Sequence, residues 1–270
     1  GFITEAVDGR QIFVIPSGSG SLIGTTDDDY YGDPDRVTAT EDEVEYLLQG
    51  IETLFPAIRE CRIVRTTAGL RPTLFEYGPN EDDLSRAHRV IEHAEAPGLV
   101  TIAGGKLAAY RMMAEEVSDA VCRRLAWKER CTTHRAFLPG GDAPPPESAD
   151  PLVRGIARRH GSRAERVLEL GRADPRAMQP VCANEGVTEA EVRWCARHER
   201  VKTLGDLARR TGLGLGACGG ADCAGPAACL LAEELGWDAA TRERRRLDFL
   251  RERREARAAL PETADDERLR

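Results

Sequence analysis

Three groups of residues in this sequence could carry chemistry. The first is the run IAGGKLAAYR, where Gly104 and Gly105 precede Lys106. Paired glycines let a backbone approach a ligand closely, and a helix starting just beyond them presents amide N–H groups. Lys106 adds a mobile positive charge at the same point, so the run suits an anionic or partly anionic group. A reduced flavin is one such group, because negative charge gathers at its N1/O2 edge when hydride reaches N5. A plain strand-to-helix turn is the competing reading.

The second group is Arg71, in AGLRP, with Arg86, which follows DDLS. Two guanidinium forks near an open sheet end could clamp a phosphate or carboxylate. Ordinary pairing with local acids is the alternative. His88 and His93 follow closely, and on a strand they need not face the same way, so either is only a generic acid–base candidate.

The third group is a set of cysteines. Of eight in the chain, Cys182, Cys195, Cys218, Cys223 and Cys229 fall in one short stretch. In a reducing compartment such grouping points to a metal site more than to disulfides. Cys218 and Cys223 lie in a glycine-rich loop that could aim thiolates at one iron or zinc centre. Cys195 and Cys229 fall inside helical patterns and read as buried small hydrophobes.

The elements that must hold these residues follow from patterning. Gln11–Pro16 and Ser21–Thr26 are apolar, β-branched runs separated by SGSG, an antiparallel pair. Thr40 and Glu43 form a capping box ahead of a helical stripe that includes Val44, Leu47, Leu48 and Ile51. Cys61–Thr67, Arg89–His93 and Leu99–Gly105 read as strands, and a helix is expected from about Lys106 or Leu107 to Leu125. A strand, paired glycines and a helix put the turn at a sheet end, where ligands are often held. LPGGDAPPPESADP breaks the chain between packed units. Beyond it come two short helices, then TEAEVRWCARH capped by Thr188 with Glu191, and TLGDLARRTG running from Thr203 to Gly212. A further helix lies around PAACLLAEELG, and a charged helix with a solvated face ends the chain.

The chain has 270 residues, 41% hydrophobic and 31% charged, which excludes wholesale disorder. The net charge of −8 gives no support for a nucleic-acid partner. No apolar run reaches bilayer-spanning length and the first residues lack the features of a signal peptide, so a cytoplasmic protein is expected. Peripheral contact with the inner face of the cell membrane and self-association stay open.

The run IFVIP…LIGTTDDDY, then AGLRP, LSRAH and AGGKLAAYRMMAE, closely resembles the carboxyl-terminal half of FAD-dependent glycerol-3-phosphate dehydrogenases. The resemblance implies an α+β fold: an antiparallel-sheet substrate and flavin-cap region, a helical cap and a small helical cysteine-containing domain. It divides the chain into 1–138, a linker at 139–151, a helical cap at 152–178, a ferredoxin-like domain at 179–236 and a charged tail at 237–270. The activity implied is oxidation of sn-glycerol 3-phosphate to dihydroxyacetone phosphate, with FAD as hydride acceptor and electrons passing to a quinone or a separate electron-transfer protein. Arg71 and Arg86 would hold the substrate and its phosphate. Lys106, with Gly104 and Gly105, would lie beside the flavin, and Thr25, Thr26 and Asp27 resemble an element at the active-site floor.

The family's G-x-G-x-x-G fingerprint following a first strand is not found in this sequence, and the stretch GLGLGACGG fails it because it lies after a short helix and carries a cysteine. The ADP-binding half and a histidine acid–base residue are therefore expected upstream, and the isolated chain is expected to be inactive. Another FAD-dependent oxidoreductase acting on an amino or hydroxy acid, and a non-catalytic module for electron transfer or for docking other subunits, are the alternatives.

The cysteine stretch resembles the bacterioferritin-associated-ferredoxin-like domain, whose 2Fe–2S ligands run C-x-C, a gap of about thirty residues, then C-x4-C. Cys182, Cys218 and Cys223 fit that pattern, whereas Asn184 stands at the second position. An amide oxygen is a hard, neutral donor and a poor replacement for thiolate on iron. Three readings follow: a packing module without metal; a weakened cluster with Asn184, water or Cys229 in the fourth place; or zinc on three thiolates.

Overall fold

A computed structural model describes residues 1–18, 20–71, 73–74, 85 and 87–260. The chain is a mixed helix-and-strand protein of the α+β class, in two units. One comprises 1–28, 35–68 and 139–270, the other 29–34 and 69–138.

In the first unit, β1 (Phe2–Glu5), β2 (Gln11–Ser17) and β3 (Gly20–Gly24) form an antiparallel sheet in chain order. Helix α1 (Glu41–Glu52) lays Ile51 against Ile12 and Ala6. Its capping box is complete: Thr40 Oγ1 accepts from the Glu43 amide at 3.2 Å, and the Thr40 amide donates to Glu43 Oε2 at 2.9 Å.

The expected strand at 61–67 is absent. The backbone polar groups of this segment go elsewhere. The Thr66 amide donates to Ala256 O at 2.7 Å, and Arg257 Nη1 reaches Ile63 O at 3.3 Å and Val64 O at 2.5 Å. Strand pairing needs a neighbour with open ladder groups, and here a buried guanidinium satisfies the carbonyls instead.

The larger core of this unit is helical. It contains α3 (Pro151–His160), α4 (Ala164–Ala173), α5 (Glu189–His198), α6 (Leu204–Thr211), α7 (Ala224–Leu235) and α8 (Ala239–Glu255). A two-stranded hairpin, β6 (Pro180–Cys182) with β7 (Val187–Thr188), leads into α5. Thr203 caps α6, while Gly212 and Gly236 take left-handed conformations at the ends of α6 and α7. Despite its charge, α8 is not simply a solvated tail, because Phe249 and Leu250 on it are buried in the core.

In the second unit, β4 (Arg89–Glu92) pairs antiparallel with β5 (Val100–Ala103), placing Arg89 opposite Ala103. Helix α2 (Tyr110–Arg124) follows. It starts later than expected because Leu107–Ala109 forms a tighter 3-10 turn, in which the Ala109 amide donates to Lys106 O at 2.8 Å.

Candidate functional site

Gly104 and Gly105 close the turn after β5 with φ of +74° and +94°, values that disfavour side chains. A Cβ on Gly104 would lie 2.8 Å from Ala87 O, and one on Gly105 would lie 2.5 Å from Met113 Sδ. The turn is therefore conformationally reserved for glycine, and at Gly104 a backbone carbonyl also excludes a side chain. Lys106 follows it, exposed. The β4–β5 register carries His88 to the same turn, where its Nε2 lies 2.8 Å from Glu116 Oε2 on α2. His93 instead meets Thr101 Oγ1 at 2.9 Å across the hairpin. Arg71 is exposed in this unit, and Arg86 lies outside the described residues.

Thr25 and Thr26 belong to the other unit. Thr25 is exposed and follows a cis peptide from Gly24. Thr26 is half-buried and donates its hydroxyl to Glu43 Oε1 at 2.8 Å. Burial works to raise the Glu43 pKa, but hydrogen bonds from the Thr40 amide and the Thr26 hydroxyl prevail and hold it below the ordinary carboxylate range.

Cys182 ends β6, and Cys218 and Cys223 sit in the loop between α6 and α7. All three are buried. Cys218 is held below the ordinary thiol range, chiefly by the neighbouring Cys182 and Cys223 thiols and against the effect of burial. Cys223 is pushed up by its two sulfur neighbours and by burial. Asn184 faces the same loop: a Cβ added to Gly216 would meet Asn184 Cβ at 2.9 Å. Cys195 is buried as expected, and burial beside the Glu199 and Glu191 carboxylates keeps it a neutral thiol. Cys229 is exposed, contrary to its helical pattern, with Arg242 Nη1 at 3.8 Å. Among the described residues, no group of three or more His, Cys, Asp or Glu is set to hold a metal ion.

A buried ion network beside this loop is not foreseen by the sequence reading. Arg159 Nε and Nη2 donate to the Glu191 carboxylate at 2.6 and 2.7 Å, while Nη1 and Nη2 reach Glu185 O and Gly186 O, each at 3.2 Å. His160 bridges Glu191 Oε1 at 2.8 Å and Glu199 Oε1 at 3.2 Å. Burial works to lower the His160 pKa, but the two carboxylates outweigh it and bring it up to about 9. The RRHG motif at the end of α3 is the available signal, since adjacent arginine and histidine need acids when buried.

Residues 3–111 match the FAD dependent oxidoreductase family, and residues 131–242 match the C-terminal domain of alpha-glycerophosphate oxidase. An anaerobic glycerol-3-phosphate dehydrogenase subunit from Escherichia coli K12 is 40% identical over 232 residues, covering 81% of this chain and 42% of that protein. Over most of its length this chain is similar to FAD-dependent glycerol-3-phosphate dehydrogenases. The corresponding protein of Haemophilus influenzae is 37% identical over 230 residues, covering 81% of the chain and 40% of the relative. A Bacillus halodurans glycerol-3-phosphate dehydrogenase solved with FAD superposes with a TM-score of 0.69 at 27% identity, covering 96% of this chain and 54% of that one. The chain thus spans less than half the length of the Escherichia coli and Haemophilus influenzae relatives. Cys182, Cys218 and Cys223 fall inside the match to the C-terminal domain of alpha-glycerophosphate oxidase, which does not mark a separate appended ferredoxin-like domain.

Two groups associated with such proteins can be tested against these residues. Gly104 and Gly105, without side chains and followed by an exposed lysine, suit the polar edge of a flavin. The cysteine loop does not suit a 2Fe–2S cluster, because it offers three thiols with an amide in the fourth place.

Proposed function

We propose that this chain forms part of an FAD-dependent enzyme that oxidises sn-glycerol 3-phosphate to dihydroxyacetone phosphate. The observation that carries the reading is the β5–Gly104–Gly105–Lys106 turn within a family match to FAD dependent oxidoreductases. Bound FAD supplies the acceptor for a hydride from the substrate's C2. Lys106 places a positive charge where negative charge develops on the acceptor. Arg71 and Arg86 hold the substrate phosphate with charge-assisted hydrogen bonds. Electrons then leave to a quinone or to a partner protein that accepts them. The names of the two bacterial relatives, each designated one subunit of an anaerobic dehydrogenase, support such a partner. We place the enzyme in the cytoplasm, touching the membrane peripherally if its acceptor is a quinone. Among the described residues, no helix is long and apolar enough to cross a membrane.

The test uses Arg71→Ala, Arg86→Ala and Lys106→Ala in the flavin-loaded enzyme. Each arginine variant should lose about one to two decades in kcat/KM, the kinetic equivalent of a lost charge-assisted hydrogen bond of roughly 1.5–3 kcal/mol, while keeping its flavin. Lys106→Ala should slow flavin reduction in stopped flow. Loss of flavin alone in the arginine variants, with normal catalysis on reconstitution, overturns the phosphate assignment.

A further inference from the structure

A 2Fe–2S cluster takes four terminal ligands, two on each iron. The hairpin and loop that present Cys182, Cys218 and Cys223 provide three thiols, and the position two residues beyond Cys182 is Asn184. Neither remaining cysteine of the region completes the set. Cys195 Sγ is directed to Glu199 Oε2 at 3.8 Å from within α5, and Cys229 lies exposed on α7 beside Arg242.

The three cysteine side chains are buried within the helical core. Cys223 Sγ donates to Gly220 O at 3.8 Å. The 182–186 turn is secured without metal, because Arg159 ties Glu185 O and Gly186 O to the buried Glu191 carboxylate. Within the loop, Phe249 packs so closely that a Cβ on Gly220 would lie 2.8 Å from its ring. The turn and the loop are thus held by protein contacts as they stand.

We infer that the Cys182–Cys218–Cys223 unit is a metal-free structural core, kept from holding a 2Fe–2S cluster by Asn184, and that no electron relay runs through it. The inference does not depend on the proposed dehydrogenase activity, since its readouts are metal content and stability. The chain and its Asn184→Cys variant should be reconstituted anaerobically with ferrous iron and sulfide, then assayed for iron, sulfide, zinc and a reduced-cluster EPR signal. Wild type should retain no metal, and its melting temperature should not move with a strong chelator. Asn184→Cys should take up two irons and two sulfides per chain. Wild type holding a cluster, holding one zinc, or melting earlier in chelator overturns the metal-free core. An Asn184→Cys chain that stays empty overturns the assignment of Asn184 as the deciding residue.

Discussion

The imidazole of His160 lies between the carboxylates of Glu191 and Glu199 with 6% of its surface exposed, so its proton is bound far more tightly in the folded chain than in the unfolded one. The folded pKa is about 9, against 6.5 for a free histidine, and a raised pKa stabilises the fold most below the unfolded value. That contribution falls as pH rises from 6.5 and is gone above about 9. The groups facing the ring are Glu191 and Glu199, with Arg159 beside Glu191 and Arg210 Nε 3.9 Å from Glu199. Thermal melts should therefore show a falling melting temperature between about pH 6.5 and 9.5, with a flatter profile for His160→Gln. An unchanged slope in the variant removes His160 as the cause. The spacing of Thr188 and Glu191 predicts a capping box, and half of it forms: the Glu191 amide donates to Thr188 Oγ1 at 3.3 Å. The Glu191 carboxylate goes instead to Arg159 and His160, more than thirty residues away. Local spacing reveals the cap, but it cannot reveal a distant guanidinium that competes for the same oxygen atoms. The cysteine spacing is legible in the same limited way, as proximity without the packing that buries Cys182, Cys218 and Cys223.

Where an element's signal is local, it is readable. Thr40 and Glu43 are three residues apart, and both halves of their box form. Thr40→Ala should cost about 1 kcal/mol, the usual worth of such a cap, measured as a shift in urea midpoint at unchanged m-value. A loss well above that range would show that the Thr26 bond to Glu43 collapses with the cap, since both hydroxyls converge on one carboxylate. The glycine stops at Gly212 and Gly236 are equally visible, because left-handed backbone selects its residue directly. The segment 61–67 is not. Its alternation suits a strand, but sheet membership depends on a neighbour, and the groups that meet this backbone come from the far end of the chain. The 3-10 turn before α2 is also hidden, since the same residues serve either geometry and boundaries respond to packing.

At the scale of the molecule, the first unit is stitched together from sequence extremes. Arg62 Nη2 donates to Ala217 O at 2.7 Å, Thr66 bonds Ala256 O, and Arg257, 5% exposed, spans two carbonyls of the same segment. Arg257→Ala should lower stability by roughly 1.5–3 kcal/mol, as expected when a charged donor leaves buried acceptors. It should also speed tryptic cleavage after Arg62 and Arg65 in native conditions. Cleavage no faster than in wild type would mean that the remaining Ala256 contacts suffice. The same clasp has a consequence for synthesis. Thr66 emerges from the ribosome 190 residues before Ala256, its partner. The β1–β3 sheet and α1 can settle on local information, but the stretch leading toward Arg71 must wait for α8 and Ala256 before these bonds form. A nascent chain arrested within α8 therefore holds nearly all its elements and still leaves this approach segment open to chaperones and proteases.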